Sequence, residues 1–185
     1  MKVTHQEVVY TGKFLRLVNK HYRNGENYGI WETVERVNVE KGAVVVIAIT
    51  KDKELILERN WRMAVESFVI QLPAGLMDKP GETKEEAARR ELIEETGYMA
   101  GRLLPVMDAP ESVVLTPTNI SHFFTTDVEY IGKENPDPAE QIEVLKIPLS
   151  KLKDFLLNLP ADTGLDLRVT GIIWILEKQG LITLD

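Results

Sequence analysis

The sequence predicts one layered α/β domain that carries a small β-rich extension at its N-terminus. The first observation is an almost wholly apolar, β-branched run at residues 42–49, which is typical of a strand buried on both faces. The second is a capped helix between Thr83 and Gly97, and the third is a series of strand-like runs on either side of it. A chain of 185 residues can form one ordinary domain with a full hydrophobic core.

The N-terminal extension is predicted to span residues 1–41, where short β-like runs alternate with turn signals. Asn24-Gly25 lies between two of these runs and predicts a hairpin. The main domain is predicted to span residues 42–185 and to begin with the buried strand. Its further strands are predicted at residues 55–57, 67–72, 98–107, 120–126 and 142–147, and its later helices at residues 149–158 and 166–179.

The helix between Thr83 and Gly97 has clear start and stop signals. The run Thr83-Lys84-Glu85-Glu86 has the pattern of a capping box, in which the side chains of the first and last residues each bond the other's backbone N–H. Gly97 can adopt the left-handed conformation that ends many helices. This is the strongest helix signal in the chain.

Composition narrows the function before any motif is considered. The chain has 22 Lys and Arg against 29 Asp and Glu, a net charge of −7, which argues against binding to nucleic acid polymers or anionic membranes. The lack of cysteine excludes disulfides, zinc–thiolate sites and cysteine nucleophiles. The N-terminus has no apolar targeting segment, so we expect a soluble, cytoplasmic protein. An acidic protein can still act on phosphorylated substrates if it binds a cation.

Three carboxylates within the predicted helix point to that cation. Glu91, Glu94 and Glu95 are spaced i, i+3 and i+4, so they share one helix face. Like charges at this spacing destabilise an isolated helix by roughly 0.2–0.5 kcal/mol per pair. Mg²⁺ takes oxygen ligands of this kind and keeps positions open for water and substrate phosphate.

The alternative for such a cluster is a solvated acidic helix face. The surrounding residues favour the metal site instead, because a tight loop containing Ala74 and Gly75 precedes the helix and its glycine lets the backbone approach a ligand closely. The Ala74 carbonyl can supply a further oxygen ligand. Glu82 lies just before the cap, and Arg90 is placed to pair with a neighbouring carboxylate and orient it.

These residues resemble the Nudix box, G-x5-E-x7-R-E-U-x-E-E-x-G-U, where U is an aliphatic or aromatic residue. The matching positions are Gly75, Glu82, Arg90, Glu91, Leu92, Glu94, Glu95, Gly97 and Tyr98. Six residues, rather than five, separate Gly75 from Glu82. The resemblance implies an α/β/α sandwich with a mixed sheet that hydrolyses a nucleoside diphosphate linked to another group. It also implies that Glu91, Glu94 and Glu95 hold Mg²⁺ or Mn²⁺, braced by Glu82 and Arg90.

Three further segments, residues 30–36, 60–62 and 71–75, resemble the ADP-ribose and ADP-sugar pyrophosphatase branch of the Nudix hydrolases. This resemblance extends from about Phe14 to the C-terminal helix. The resemblance implies that Trp31 stacks on the base, that Glu32 accepts from the adenine amino group, and that Phe14 adds a second aromatic wall. It assigns Arg36 and Arg62 to the diphosphate. For Trp31 the alternative is a core residue of the N-terminal sheet, and for Arg62 a surface residue.

The same resemblance implies a catalytic base and a quaternary structure. The base resembles a glutamate in a mobile loop before a late strand, where Glu140 is the first choice and Glu143 the second. A surface role for either glutamate is the alternative. The resemblance also implies a homodimer in which the N-terminal extension of one subunit completes the site of its partner.

Two departures from the branch limit the substrate prediction. Gln71 stands where the branch usually has glutamate, and residues 116–119 form a shorter turn near the terminal sugar. We therefore predict Mg²⁺-dependent hydrolysis of nucleoside diphosphate sugars, with ADP-ribose or related ADP- and GDP-sugars as substrates. The alternatives are a nucleoside triphosphate-cleansing Nudix pyrophosphatase and a catalytically silent nucleotide-binding domain, although the intact carboxylates argue against the latter.

Overall fold

The computed structural model describes residues 1–37, 39 and 42–184. The strands in chain order are β1 (Lys2–Thr11), β2 (Leu15–Asn24), β3 (Asn27–Arg36), β4 (Ala43–Ala48), β5 (Glu54–Arg62), β6 (Ser67–Gln71), β7 (Ala74–Leu76), β8 (Tyr98–Ala100), β9 (Leu104–Ser112), β10 (Thr116–Thr125), β11 (Val128–Tyr130), β12 (Ile142–Pro148) and β13 (Thr163–Leu165). The helices are α1 (Lys84–Thr96), α2 (Leu152–Leu157), which follows a 3₁₀ turn at Leu149–Lys151, and α3 (Leu167–Lys178).

The N-terminal extension folds as an antiparallel sheet in the order β1-β2-β3. Its second turn has Gly25 at a positive φ of 62°, which confirms the hairpin predicted at Asn24-Gly25. All of β1 is exposed, and the buried residues of this sheet are Val18 and Thr33. The extension therefore contributes little to the hydrophobic core of its own chain.

The main domain contains two four-stranded mixed sheets, in the orders β7-β4-β10-β9 and β12-β5-β6-β13, and a small pair β11-β8. β10 runs parallel to β4, and β13 runs parallel to β6. β4 is buried on both faces, as predicted: Val45 and Ile47 belong to one core cluster, while Val44 and Val46 belong to the other.

Helices cover both faces of the sheets. On one face α1 inserts Ala87, Ala88 and Leu92 into the cluster that also contains Val44 and Ile56. On the other face, the apolar side chains of α3 pack into the second cluster. The α1 cap is as predicted: Thr83 and Glu86 form the capping box, and Gly97 closes the helix at φ 73°. The order of layers is therefore α/β/α.

The structure differs from the sequence prediction at several strand boundaries. The strand predicted over residues 98–107 is interrupted at Gly101, whose N–H donates to the Asp127 carbonyl (2.8 Å). The two resulting strands, β8 and β9, belong to different sheets. β5 and β10 extend beyond the apolar runs that predicted them. Lys41, at the predicted boundary of the extension, and Asp185, at the predicted end of the domain, lie outside the described residues, so that division stays a prediction.

Within the described residues, no helix is long and apolar enough to cross a membrane. The predicted cytoplasmic location stays a prediction.

Candidate active site

The three carboxylates on α1, those of Glu91, Glu94 and Glu95, are buried to different extents. Glu95 is buried, Glu91 keeps only 13% of its side-chain surface, and Glu94 keeps 37%. Leu92 of α1 packs into the hydrophobic core between the helix and the sheets. Because Glu91 and Glu95 lie next to this contact on the helix surface, the same packing partly or fully buries their carboxylates. Burial raises the pKa of Glu91 to about 7, an effect that the neighbouring Arg90 opposes.

Arg90 joins the carboxylates of α1 to the loop before the helix. Its guanidinium donates to Glu82 (2.7 and 3.0 Å), to Glu91 (2.7 Å), to Glu94 (3.0 Å) and to the Leu76 carbonyl (3.1 Å). The hydrogen bonds that Arg90 donates to Glu82 raise the pKa of Arg90 further, so the guanidinium stays charged. Arg90 therefore fixes both the loop and the orientation of two carboxylates.

Strand β7 brings backbone atoms against the acidic face of α1. The Ala74 N–H donates to Oε2 of Glu95 at 2.8 Å. A Cβ atom added to Gly75 would lie 2.0 Å from the Glu91 carboxyl carbon, so the lack of a side chain at this position makes room for the carboxyl group. The Nudix pattern has five residues between this glycine and glutamate, and this chain has six. Strand β7 nevertheless contacts the acidic face of α1.

A buried polar chain of contacts connects this site to Arg62. The Arg62 Nε donates to Oε1 of Gln71 (2.7 Å), and the Gln71 amide donates to Oε2 of Glu58 (2.9 Å). Glu58 is fully buried and lies against Glu95. Burial raises the pKa of Glu58 to about 7, and burial together with the facing Glu58 raises the pKa of Glu95 well above its usual range.

The two candidate bases, Glu140 and Glu143, differ in their position relative to α1. Glu143 is opposite Arg59 and forms an ion pair with it (3.4 Å), whereas Val144 is opposite Glu58 and packs into the α1 cluster. Residues directly opposite in a ladder share a face, so the Glu143 side chain lies on the face away from α1. Glu140, in the loop before β12, is near enough for its charge to raise the pKa of Glu58 and Glu91.

The loop that carries Glu140 is attached to the end of α1. The Asn135 N–H donates to the Glu94 carbonyl (2.8 Å), and the Ile131 N–H donates to the Gly97 carbonyl (2.9 Å). The Glu140 carboxylate accepts from the Asp137 N–H (3.2 Å) and is only partly exposed. Glu140 is therefore held beside the carboxylate cluster by contacts within its own loop.

Apart from Arg62, the residues predicted to bind the base and the diphosphate lie in the N-terminal extension. Trp31 is 52% exposed, and its indole N–H donates to the Val114 carbonyl (2.9 Å), so Trp31 is no core residue of this chain. Arg36 forms an ion pair with Glu111 (3.6 Å). Phe14 and Glu32 are exposed on the extension. Thus the structure gathers the acidic residues and Arg62, while the aromatic residues lie at the surface of one chain.

Sequence reasoning missed two charged residues near the site, Glu58 and Arg168. Arg168, at the start of α3, lines a small crevice together with Arg62, Gln71 and Ala74. No local pattern indicates Arg168, because α3 reaches the crevice only through the tertiary fold. Glu58 had a weak signal: it is a single carboxylate that directly follows an apolar, buried run of β5.

The donors suit a hard divalent cation, although Glu91 and Glu94 contact Arg90 in this structure and Glu95 accepts from the Ala74 N–H. Among the described residues, no group of three or more acidic or histidine side chains has the closed geometry of a metal site. Two observations nevertheless fit a cation: Oε1 of Glu58 is buried without a partner, and Gly75 leaves space for the Glu91 carboxyl group. Carboxylate and carbonyl oxygens are the ligands that Mg²⁺ and Mn²⁺ prefer.

Comparison with known proteins agrees with this arrangement. The chain matches the NUDIX domain family over residues 40–165. It is 34% identical to putative nudix hydrolase 2 of Caenorhabditis elegans over 177 residues, covering 86% of this chain and 77% of that protein. It is 32% identical to the ADP-ribose pyrophosphatase of Saccharomyces cerevisiae over 161 residues, covering 77% and 67%.

The fold has a counterpart among solved structures. The crystal structure of an ADP compounds hydrolase aligns with a TM-score of 0.80 at 22% identity, covering 98% of this chain and 96% of that chain. The predicted α/β/α fold and the Nudix resemblance are both confirmed. The chain belongs to the Nudix family and is a Nudix hydrolase.

Proposed function

We propose that this protein hydrolyses the diphosphate of nucleoside diphosphate sugars to a nucleoside monophosphate and a sugar phosphate. The substrates are ADP-ribose or related ADP- and GDP-sugars. The observation that carries the proposal is the burial of Glu91 and Glu95 beside β7, with Arg62 connected to Glu95 through Gln71 and Glu58. The names of the relatives, an ADP-ribose pyrophosphatase and an ADP compounds hydrolase, support the same substrate class.

Nudix hydrolases generally depend on a divalent metal. We propose Mg²⁺ for this protein, with Mn²⁺ as a substitute, held by Glu91, Glu94, Glu95 and the Ala74 carbonyl. When bound, the cation supplies charge neutralisation of the diphosphate and polarises a phosphorus atom toward attack by water. Burial raises the pKa of Glu91 to about 7 even though Arg90 lies beside it, and a bound cation would favour the charged form of this carboxylate.

Arginines of the chain bind and orient the diphosphate. Arg62 lines the crevice beside Ala74, whereas Arg36 lies on β3 and pairs with Glu111. A guanidinium group can bind phosphate oxygens through two parallel hydrogen bonds, which fixes the orientation of the diphosphate as well as adding affinity. Arg90 does not need to touch the substrate, because it is already bonded to Glu82, Glu91 and Glu94 and keeps the acidic face in position.

Glu140 acts as the general base that accepts a proton from the attacking water. Its position supports this role, since its charge reaches both Glu91 and Glu58 from a loop attached to the end of α1. Glu143 is less suitable, because its carboxylate pairs with Arg59 on the other face of the ladder. A base must come within hydrogen-bonding reach of the proton that it removes.

The base of the nucleotide stacks on Trp31, with Glu32 and Phe14 beside it, in a homodimer whose N-terminal extensions complete the partner's site. Stacking of a base on an aromatic ring contributes roughly 1–3 kcal/mol. The exposure of Trp31 and of the apolar residues Val8, Val9 and Tyr10 on β1 supports a second copy of this chain as the covering surface. Size-exclusion chromatography with light scattering should give twice the mass of one chain, and a monomer would contradict this part of the proposal.

A substrate screen tests the proposed function. The protein with Mg²⁺ is incubated with ADP-ribose, ADP-glucose, GDP-mannose and nucleoside triphosphates, and the products are separated by anion-exchange chromatography. We expect nucleoside monophosphate from the diphosphate sugars. Activity on triphosphates alone would indicate a triphosphate-cleansing pyrophosphatase instead, and binding without turnover of any substrate would indicate a silent domain.

A further inference from the structure

Two polar side chains, those of Glu58 and Asn60, lie on the face of β5 that is directed toward α1. Alternate residues of a strand share a face, so Ile56, Glu58 and Asn60 all face α1. Ile56 packs into the core cluster that contains Leu92, as expected for this face. Glu58 and Asn60, which follow it, are both fully buried.

Three polar atoms of these two side chains have no hydrogen-bond partner among the described residues. Gln71 donates to one oxygen of Glu58, but the other oxygen, Oε1, has no partner, and neither the oxygen nor the nitrogen of the Asn60 amide has one. A buried polar group without a partner costs about 1–3 kcal/mol, and more if it is charged. Two such residues side by side on one strand point to a bound group that satisfies both.

The charges around Glu58 show what kind of group would fit. Glu58 lies against Glu95, a second buried carboxylate, whose described hydrogen bond comes from the Ala74 N–H. Arg62 acts on Glu58 only at a distance, since its Nε donates to Gln71. Two carboxylates in contact need a positive charge between them, and the unpartnered oxygen of Asn60 is a neutral ligand that hard cations also accept.

We propose that Glu58 and Asn60 supply oxygen ligands to a divalent cation held on β5, and that Glu95 is shared between this position and the carboxylates of α1. A proton between Glu58 and Glu95 would relieve their repulsion but would leave the Asn60 amide without a partner. A cation would instead take oxygen ligands from both carboxylates and from Oδ1 of Asn60. This inference rests on the proposed function, because Glu95 belongs to both positions.

The experiment counts Mn²⁺ ions bound to the full-length protein at pH 8. Free Mn²⁺ is measured by its electron paramagnetic resonance signal during a titration, so no turnover is needed. We expect Glu58→Gln to bind one Mn²⁺ per chain fewer than the wild type, and Asn60→Leu to weaken the same binding step at least 10-fold. Glu54→Gln is the matched control, since it removes a carboxylate from the same strand about 13 Å away.

The outcomes separate this inference from the proposed function. Equal Mn²⁺ counts and affinities in the wild type and Glu58→Gln would overturn the β5 position while leaving the α1 site in place. No binding by the wild type would overturn both. Glu91→Gln tests the α1 site alone, and it should lower Mn²⁺ binding without removing the step that depends on Glu58. Thermal unfolding in EDTA confirms that each variant is folded before the titration.

Discussion

Replacing Glu95 by glutamine should strongly lower turnover and at the same time stabilise the metal-free protein. Both effects follow from the position of Glu95, which is buried against Glu58 and accepts a hydrogen bond from the Ala74 N–H. The amide oxygen of glutamine can still accept from Ala74. The substitution therefore removes one negative charge from the cation site and leaves the local backbone contact intact.

The size of each effect can be estimated. Loss of one group that stabilises charge in a transition state lowers kcat by about 10²–10³-fold, or roughly 2.7–4 kcal/mol. Burial raises the pKa of Glu58 from 4.5 to about 7, and at about 1.4 kcal/mol per unit the charged form of Glu58 costs about 3 kcal/mol at pH 8. The new amide can donate to Oε1 of Glu58, so we expect stabilisation of about 1 kcal/mol or more, which raises Tm by about 2–4 °C.

The assay measures release of nucleoside monophosphate from ADP-ribose with Mg²⁺, and thermal unfolding of the same preparations in EDTA at pH 8. Glu85→Gln is the matched control: Glu85 lies on α1, is exposed, and is 3.9 Å from Arg89. It should leave both kcat and Tm near wild type. Wild-type turnover in Glu95→Gln would refute the metal-face argument, and a lower Tm in EDTA would refute the assigned repulsion between the two carboxylates.

The remaining predictions use the same assays. Glu140→Gln should lower kcat far more than Glu143→Gln, and the reverse ranking would exchange their roles. Gly75→Ala should displace the Glu91 carboxyl group and weaken Mn²⁺ binding about 10-fold, whereas Gly171→Ala, whose added Cβ meets no atom within 4 Å, should not. Burial raises the pKa of Glu91 from 4.5 to about 7, so the folded state keeps a proton that the unfolded state releases in this range. Tm in EDTA should therefore fall as pH rises from about 4.5 to 7, and a flat profile would contradict this.

Elements with local signals could be predicted from the sequence. The α1 helix is correctly bounded because its cap is contained in four consecutive residues and its end is a glycine, so no distant contact is needed to define it. β4 is correctly predicted because a run of buried β-branched residues has few other stable environments. The shared face of Glu91, Glu94 and Glu95 follows from helix geometry alone.

Features that depend on distant contacts could not be predicted in the same way. The apolar pattern of residues 98–107 is continuous, and only the hydrogen bond from Gly101 to Asp127 reveals that β8 and β9 belong to different sheets. Arg168 joins the crevice beside Ala74 because of where α3 packs, which no spacing in the sequence encodes.

Gln71 shows how a departure from a family pattern can be explained by a neighbouring strand. In the branch that this chain resembles, the position of Gln71 usually carries glutamate, so the sequence alone suggests the loss of a polar contact. In the structure, Gln71 is directly opposite Glu58 in the β5–β6 ladder and bonds it, while also accepting from Arg62. The carboxylate is therefore present on the adjacent strand, where it lies against Glu95, and the neutral Gln71 connects it to Arg62. If both positions carried glutamate, a third buried carboxylate would lie beside Glu58 and Glu95 and would repel them. The carboxylate at Glu58 therefore favours a neutral amide at position 71.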